Sequence, residues 1–118
     1  MAITLLTPFD RLIKDIIRQT YRADAYASFA LAVSSMGSTE ATLFVYDNQP
    51  VLASIAIPST LLIQIYKGGY LEIGNGVIVT FNQRPEAGRY KIFKITGTGS
   101  VVFGAGAAID LYPEWWTG

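Results

Sequence analysis

The chain has 118 residues, of which 51% are apolar and 15% charged, and nine Lys and Arg balance nine Asp and Glu to a formal net charge of zero. That length suits one domain with a real core, spanning residues 1–118, and is too short for two. The zero balance excludes a global field that would draw the chain to nucleic acid or to an anionic membrane, and the absence of Cys and His excludes disulfide staples, thiolate metal sites, the Ser-His triad and the commonest metal ligand.

Charge is scarcer than the usual quarter of residues. Either part of the surface is covered by another copy or a partner, or the surface is neutral and rich in Ser, Thr, Asn and Gly. Met1-Ala2-Ile3-Thr4-Leu5-Leu6 lacks the basic region and long apolar run of a cleaved secretion signal. No uncharged apolar run is long enough to span a membrane. A virion or extracellular location would therefore be reached without a cleaved signal, as by release on lysis.

Thr7-Pro8-Phe9-Asp10 opens a predicted helix over residues 7–22. Thr7 can cap it, Pro8 suits its first position and Asp10 its first turn. Phe9, Leu12, Ile13, Ile16 and Ile17 then recur at i, i+3, i+4, i+7 and i+8, with Thr20 and Tyr21 extending the face. Asp10, Arg11, Lys14, Asp15, Arg18 and Gln19 form the opposite side. Such an amphipathic helix covers the protein's own core or docks on a membrane surface or partner. In residues 23–36, Phe29, Leu31 and Val33 alternate as in a strand, whereas the alanines allow a helix; Ser35-Met36-Gly37-Ser38 ends the segment either way.

From Ala41 onward the pattern is strands and turns. Predicted strands are 42–46, 51–57, 61–66, 70–73, 77–81, 90–95, 100–103 and 107–111, rich in Val, Ile, Tyr, Phe and Thr. Turns are predicted at Asp47-Asn48-Gln49-Pro50, Lys67-Gly68-Gly69, Gly74-Asn75-Gly76, Arg84-Pro85-Glu86-Ala87-Gly88 and Gly97-Thr98-Gly99. The class is mainly β, with two architectures open. One is an antiparallel β-sandwich or barrel, favoured by the short Gly-Asn-Gly turn. The other is a β-solenoid of stacked parallel strands, favoured by apolar runs such as Val77-Ile78-Val79 and Leu61-Leu62-Ile63.

A resemblance favours the second. Ala41-Thr42-Leu43-Phe44-Val45, Ile57-Pro58, Lys67-Gly68-Gly69-Tyr70-Leu71, Gly76-Val77-Ile78-Val79-Thr80-Phe81, Glu86-Ala87-Gly88-Arg89-Tyr90-Lys91-Ile92-Phe93, Gly99-Ser100-Val101-Val102-Phe103-Gly104 and Tyr112-Pro113-Glu114-Trp115-Trp116 follow one another in order. Over about Ser38 to Trp116 this resembles the N-terminal coils of right-handed parallel β-helix proteins of the pectate-lyase-like superfamily, which includes phage tailspikes. The resemblance implies a short β-helix, with coils over residues 41–112 and a Trp tail over 113–118. In those relatives the catalytic acids lie in further coils downstream of this region. The chain is therefore expected to be a non-catalytic structural protein rather than an enzyme.

On that fold the 7–22 helix would cap the first coil through Phe9, Leu12, Ile13, Ile16 and Ile17. At the other end Trp115, Trp116 and Tyr112 would form a lid or an oligomer interface. The expected partner is the chain itself, as a trimer by resemblance or as a polymer, in a phage tail, a capsid accessory or an extracellular assembly. Surface glycan and other virion proteins are further candidate partners. Tyr66, Tyr70 and Tyr90 are candidate glycan contacts, which would make the chain a carbohydrate-binding or adaptor module. No catalytic residue, metal site or cofactor is assigned. Glu72 lies between Leu71 and Ile73, where it is expected to point outward. Gly97, Gly99, Gly104 and Gly106 lack the Lys-Ser or Lys-Thr of a phosphate loop. Arg84, Arg89, Lys91 and Lys94 near Tyr90 and Phe93 read as a solvated face.

Overall fold

The computed structural model describes residues 19–108 and 110–116. Its strands are β1 (Gln19–Arg22), β2 (Ala41–Val45), β3 (Asn48–Val51), β4 (Ile55–Ile57), β5 (Leu61–Ile65), β6 (Tyr70–Ile73), β7 (Ile78–Phe81), β8 (Glu86–Ala87), β9 (Phe93–Ile95) and β10 (Ser100–Phe103). One helix, α1 (Phe29–Met36), lies between β1 and β2, and short 3-10 turns occupy Ala23–Ala25 and Pro113–Trp115.

The strands form three sheets, ordered β1-β2-β5-β8, β3-β6-β9 and β4-β7-β10. Every pairing is parallel. The chain visits the sheets in rotation: β2, β3, β4, then β5, β6, β7, then β8, β9, β10. The registers are regular, with Leu43 opposite Ile63, Leu71 opposite Phe93 and Val79 opposite Val101. The antiparallel sandwich is thus not formed by the described strands. Gly74-Asn75-Gly76 is a corner rather than a hairpin, because β6 and β7, which it joins, lie in different sheets. The Val77 N–H closes that corner on the Gly74 carbonyl at 3.1 Å.

Alternation along the strands produces the core. Leu61, Ile63 and Ile65 are buried while Leu62 and Gln64 between them are partly exposed. Parallel register then sets each inward residue on its counterpart in the next strand: Val45 on Ile65, Val51 on Ile73, and the Phe81 ring on Phe103 at 5.5 Å. Each fully buried Leu, Ile or Phe side chain contributes about 1.5–3 kcal/mol. The corners let the strands close up. A Cβ on Gly69 would stand 2.5 Å from the Val45 carbonyl oxygen, so only glycine admits that approach. Asn75 links two corners, its Oδ1 accepting from the Thr98 N–H at 2.9 Å and the Thr98 hydroxyl at 3.1 Å.

Several expected boundaries differ. Gln19–Arg22, expected as the end of the helix over 7–22, is strand β1, in register with Ala41–Phe44. Thr20 and Tyr21 suit a strand as β-branched and aromatic residues, and pairing with β2 satisfies their backbone. The remainder of that expected helix, with Phe9, Leu12, Ile13, Ile16 and Ile17, lies outside the described residues. The expected turn at Asn48–Pro50 belongs to β3, which tolerates Pro50 because it is the edge strand of its sheet. The expected strand over 51–57 divides into β3 and β4 around a corner at Leu52–Ser54, and Ser54 Oγ accepts from the Ile78 N–H at 3.0 Å. The described residues of the expected strand over 107–111 are not in a strand: the Ala107 N–H turns back to the Gly104 carbonyl, and Asp110 has φ 53°. Glu86–Ala87, expected as turn, pairs with β5.

The ambiguous segment is helical. Ser28 caps α1 by accepting from the Leu31 N–H at 3.0 Å, and Gly37 ends it at φ 57°. Phe29, Ala32, Val33 and Met36, at i, i+3, i+4 and i+7, are its buried residues and join the core beside β2 and β3. Covering the first strands, the task expected of residues 7–22, is performed by this helix among the described residues. Truncating Phe29 to Ala is therefore expected to cost about 3–5 kcal/mol, and Leu31→Ala, on the exposed side, under about 0.5 kcal/mol. Urea unfolding of both variants checks this; equal losses would overturn the assignment of the buried face.

Candidate functional site

Two aromatic clusters gather most of the residues singled out from the sequence. The first lies on the sheet β1-β2-β5-β8. Val45 opposes Ile65, so the residues that follow, Tyr46 and Tyr66, stand side by side. Their rings stack at 4.8 Å with an interplanar angle of 4°, and Phe44 meets both edge-on. Arg22 opposes Phe44 one strand away, which carries its guanidinium to 4.6 Å from the Tyr46 centroid. Asp24 fixes that guanidinium through two contacts, Nε to Oδ1 at 3.0 Å and Nη2 to Oδ2 at 2.7 Å. This hydrogen bonding holds the Asp24 carboxyl below its ordinary range and raises the Arg22 guanidinium. Desolvation against the stack, then the neighbouring Tyr46, raises the Tyr66 phenol.

For a sugar, the flat face of an exposed tyrosine is the useful feature. Tyr46 and Tyr66 remain 39% and 38% exposed, but Tyr46 is held between Arg22 and Tyr66, so its faces are engaged. The three tyrosines expected as glycan contacts do not form one platform. Tyr66 joins Tyr46, while Tyr90 donates its hydroxyl to the Ile65 carbonyl at 2.6 Å. Tyr70 is half-buried at the head of β6, in another sheet. Tyr46 escaped the sequence reading because nothing local marks it; the register of β2 against β5 gives it a partner.

The second cluster closes the end formed by β8, β9 and β10. After Asp110 the chain returns across the third round of strands, and the Ile92 N–H donates to the Trp115 carbonyl at 2.9 Å. Trp115 is fully buried, its Nε1 donating to the Gly88 carbonyl at 2.9 Å and its ring edge-on to Phe93 and Tyr112. Trp116 lies against Phe93 at 5.2 Å and Phe103 at 6.0 Å. Arg84 sits 5.1 Å from the Trp115 ring and Arg89 4.7 Å from Tyr112. Arg84 also donates to the Asp110 carbonyl at 2.7 Å, tying the tail to the loop before β8. Of the three residues expected at an oligomer interface, Trp115 is thus committed to its own chain as a lid. Trp116 and Tyr112 retain partly exposed side chains.

The described carboxylates mostly have fixed partners. Glu72 accepts from Asn48 Nδ2 at 2.9 Å, Glu86 pairs with Arg84 at 3.2 Å and Glu114 lies 3.8 Å from Arg89. Among the described residues no group of three or more acidic residues gathers as a metal site would require, and no helix is long and apolar enough to cross a membrane. Two shallow grooves flank α1. One, of about 680 Å³, runs between α1 and Ala53–Ala56; the other, of about 460 Å³, lies between the start of α1 and β3.

Comparison with protein-family models, with curated proteins and with solved structures found no match. The geometry of the tail is directly testable. Trp115→Ala should cost about 3–5 kcal/mol, as truncation of a buried aromatic does, and Trp116→Ala clearly less. Thermal unfolding of the two variants checks the order; a Trp115→Ala protein as stable as the parent would mean that Trp115 is no lid.

Proposed function

We propose that the chain is a short right-handed β-helical module, three coils long, that serves as a non-catalytic building block and self-associates in a virion or extracellular assembly. The observation that carries this reading is the rotation of the chain through three parallel sheets, with each strand registered on the one in the next round. Stacked repeats of this kind bury one continuous core, and among the described strands an outermost one such as β10 pairs with a strand on one side only. Strand edges are templates for pairing with another chain. The likeness of residues 38–116 to the N-terminal coils of pectate-lyase-like and tailspike proteins adds a second support, and a trimer is the assembly that likeness suggests. The carboxylates contribute a third: Asp24, Glu72 and Glu86 each hold a cation or an amide of their own chain, as structural groups do.

A second reading, a tailspike-derived carbohydrate-binding or adaptor module, draws on the exposed Tyr46–Tyr66 stack. Glycan binding by a discrete monomer would favour it over assembly.

Light scattering of the purified full chain at two concentrations tests the first reading. A trimer or larger species is expected at the higher concentration, and a monomer at both would overturn it.

A further inference from the structure

The charged residues are unevenly placed along the chain. Residues 25–39, 48–66, 73–83 and 95–108 contain no Asp, Glu, Lys or Arg. The second stretch also runs through β3 and β5, but one sheet draws all its strands from these stretches. The first contains α1, and the other three contain β4, β7 and β10, which together are one sheet. The outward residues of that sheet stand in register, Ala56 beside Thr80 beside Val102, and Ile78 beside Ser100. The other sheets carry charge on their outer rows: Arg22 and Glu86 on one, Glu72 and Lys94 on the other.

Three of the exposed large apolar side chains stand on this flank, while Leu52 protrudes at the corner between β3 and β4 and Ile95 on β9. Leu31 on α1 is 48% exposed, Ile78 on β7 45% and Val102 on β10 46%. The groove between α1 and Ala53–Ala56 continues it, and a shallower hollow lined by Ala56, Ile78 and Thr80 leads onto the sheet.

We propose that this charge-free flank, formed by α1 and the sheet β4-β7-β10, is the face through which one copy of the chain docks on another. The inference rests on the self-association reading and locates it away from the Trp tail. A second copy is the occupant favoured by charge. In a symmetric contact every buried charge must be desolvated, and one beside the symmetry axis meets its own kind. This flank contributes none, and burying it leaves no unpaired ion. The chain's zero net charge adds no long-range repulsion between copies. The area needed is modest: a stable contact takes about 800 Å² per partner, about a ninth of the 7090 Å² of accessible surface.

The test is the concentration dependence of mass for the full chain and for Ile78→Lys, Val102→Lys and Trp116→Ala, each checked for unchanged unfolding temperature. Both lysine variants are expected to shift the assembly midpoint upward by about tenfold or more, since each buries an unpaired charge, while Trp116→Ala leaves it in place. Hydroxyl-radical footprinting of the unmodified chain supplies a reading that needs no variant: oxidation of Leu31, Ile78 and Val102 should fall as copies assemble. If the parent assembles but the lysine variants follow the same curve and these side chains stay reactive, the flank is overturned and self-association stands. If the parent is monomeric throughout, both fall. Loss of stability in a monomeric Val102→Lys would then show the flank to be covered by the chain's own residues.

Discussion

Parallel pairing between strands one round apart governs where every other part of this protein lies. Once Leu43 faces Ile63 and Leu71 faces Phe93, identical positions of successive rounds fall on one line, inward or outward. Inward lines become the core, made of aliphatic and aromatic side chains resting on their counterparts. Outward lines become rows of like position, such as the Arg22, Phe44, Gln64, Glu86 row. The corners are subject to the same constraint. Gly69 must pass close to Val45, and Asn75 bonds to Thr98 one round later, because backbone that stacks in the strands must also stack where it bends.

Among the described residues the regularity gives way in two places, by different means. Beside β2 and β3, the capped amphipathic helix α1 places Phe29, Ala32, Val33 and Met36 over the core. At the β8, β9 and β10 end an irregular tail folds back, and one indole fills the gap while donating its N–H to Gly88. Arg84 and Arg89 lie near the tail's rings, and the carboxylates they pair with, Glu86 and Glu114, are exposed. Exposed pairs of this kind contribute little to stability, so their effect is chiefly to orient the tail.

Much of this was legible in residue order. Alternation in Leu61–Ile65 marks its inward face, and Ser28 and Gly37 bracket a helix. What misled was period and context. Phe29, Leu31 and Val33 satisfy a period of two as well as part of a helical stripe, and only the core beneath α1 selects between them. Thr20 and Tyr21 continue a helical stripe from residues 9–17 yet pair as strand with β2, because an available partner strand outweighs local periodicity. Asn48-Gln49-Pro50 carries turn residues but sits on an edge where proline costs no bond. The run Val77-Ile78-Val79 suggested a strand covered on both faces, whereas Ile78 stands 45% exposed; the run identified a parallel sheet for a reason the single chain does not fulfil. The sites were less legible than the fold. Trp115 and Trp116 are adjacent in sequence, yet the first is fully buried and the second only partly, and the Tyr46–Tyr66 contact depends on a register that no local motif encodes.

The direction of the hydrogen bonds has a mechanical consequence. In each sheet the bonds between strands run along the stack, whereas the strands run across it. A force that pulls the ends of the stack apart would meet these bonds in series and open one round after another at modest load. A force along the strands would shear whole registers, such as the five pairs joining Ala41–Val45 to Leu61–Ile65, and would have to break them together. The protein is therefore built to be stiff against sideways shear and compliant to axial peeling.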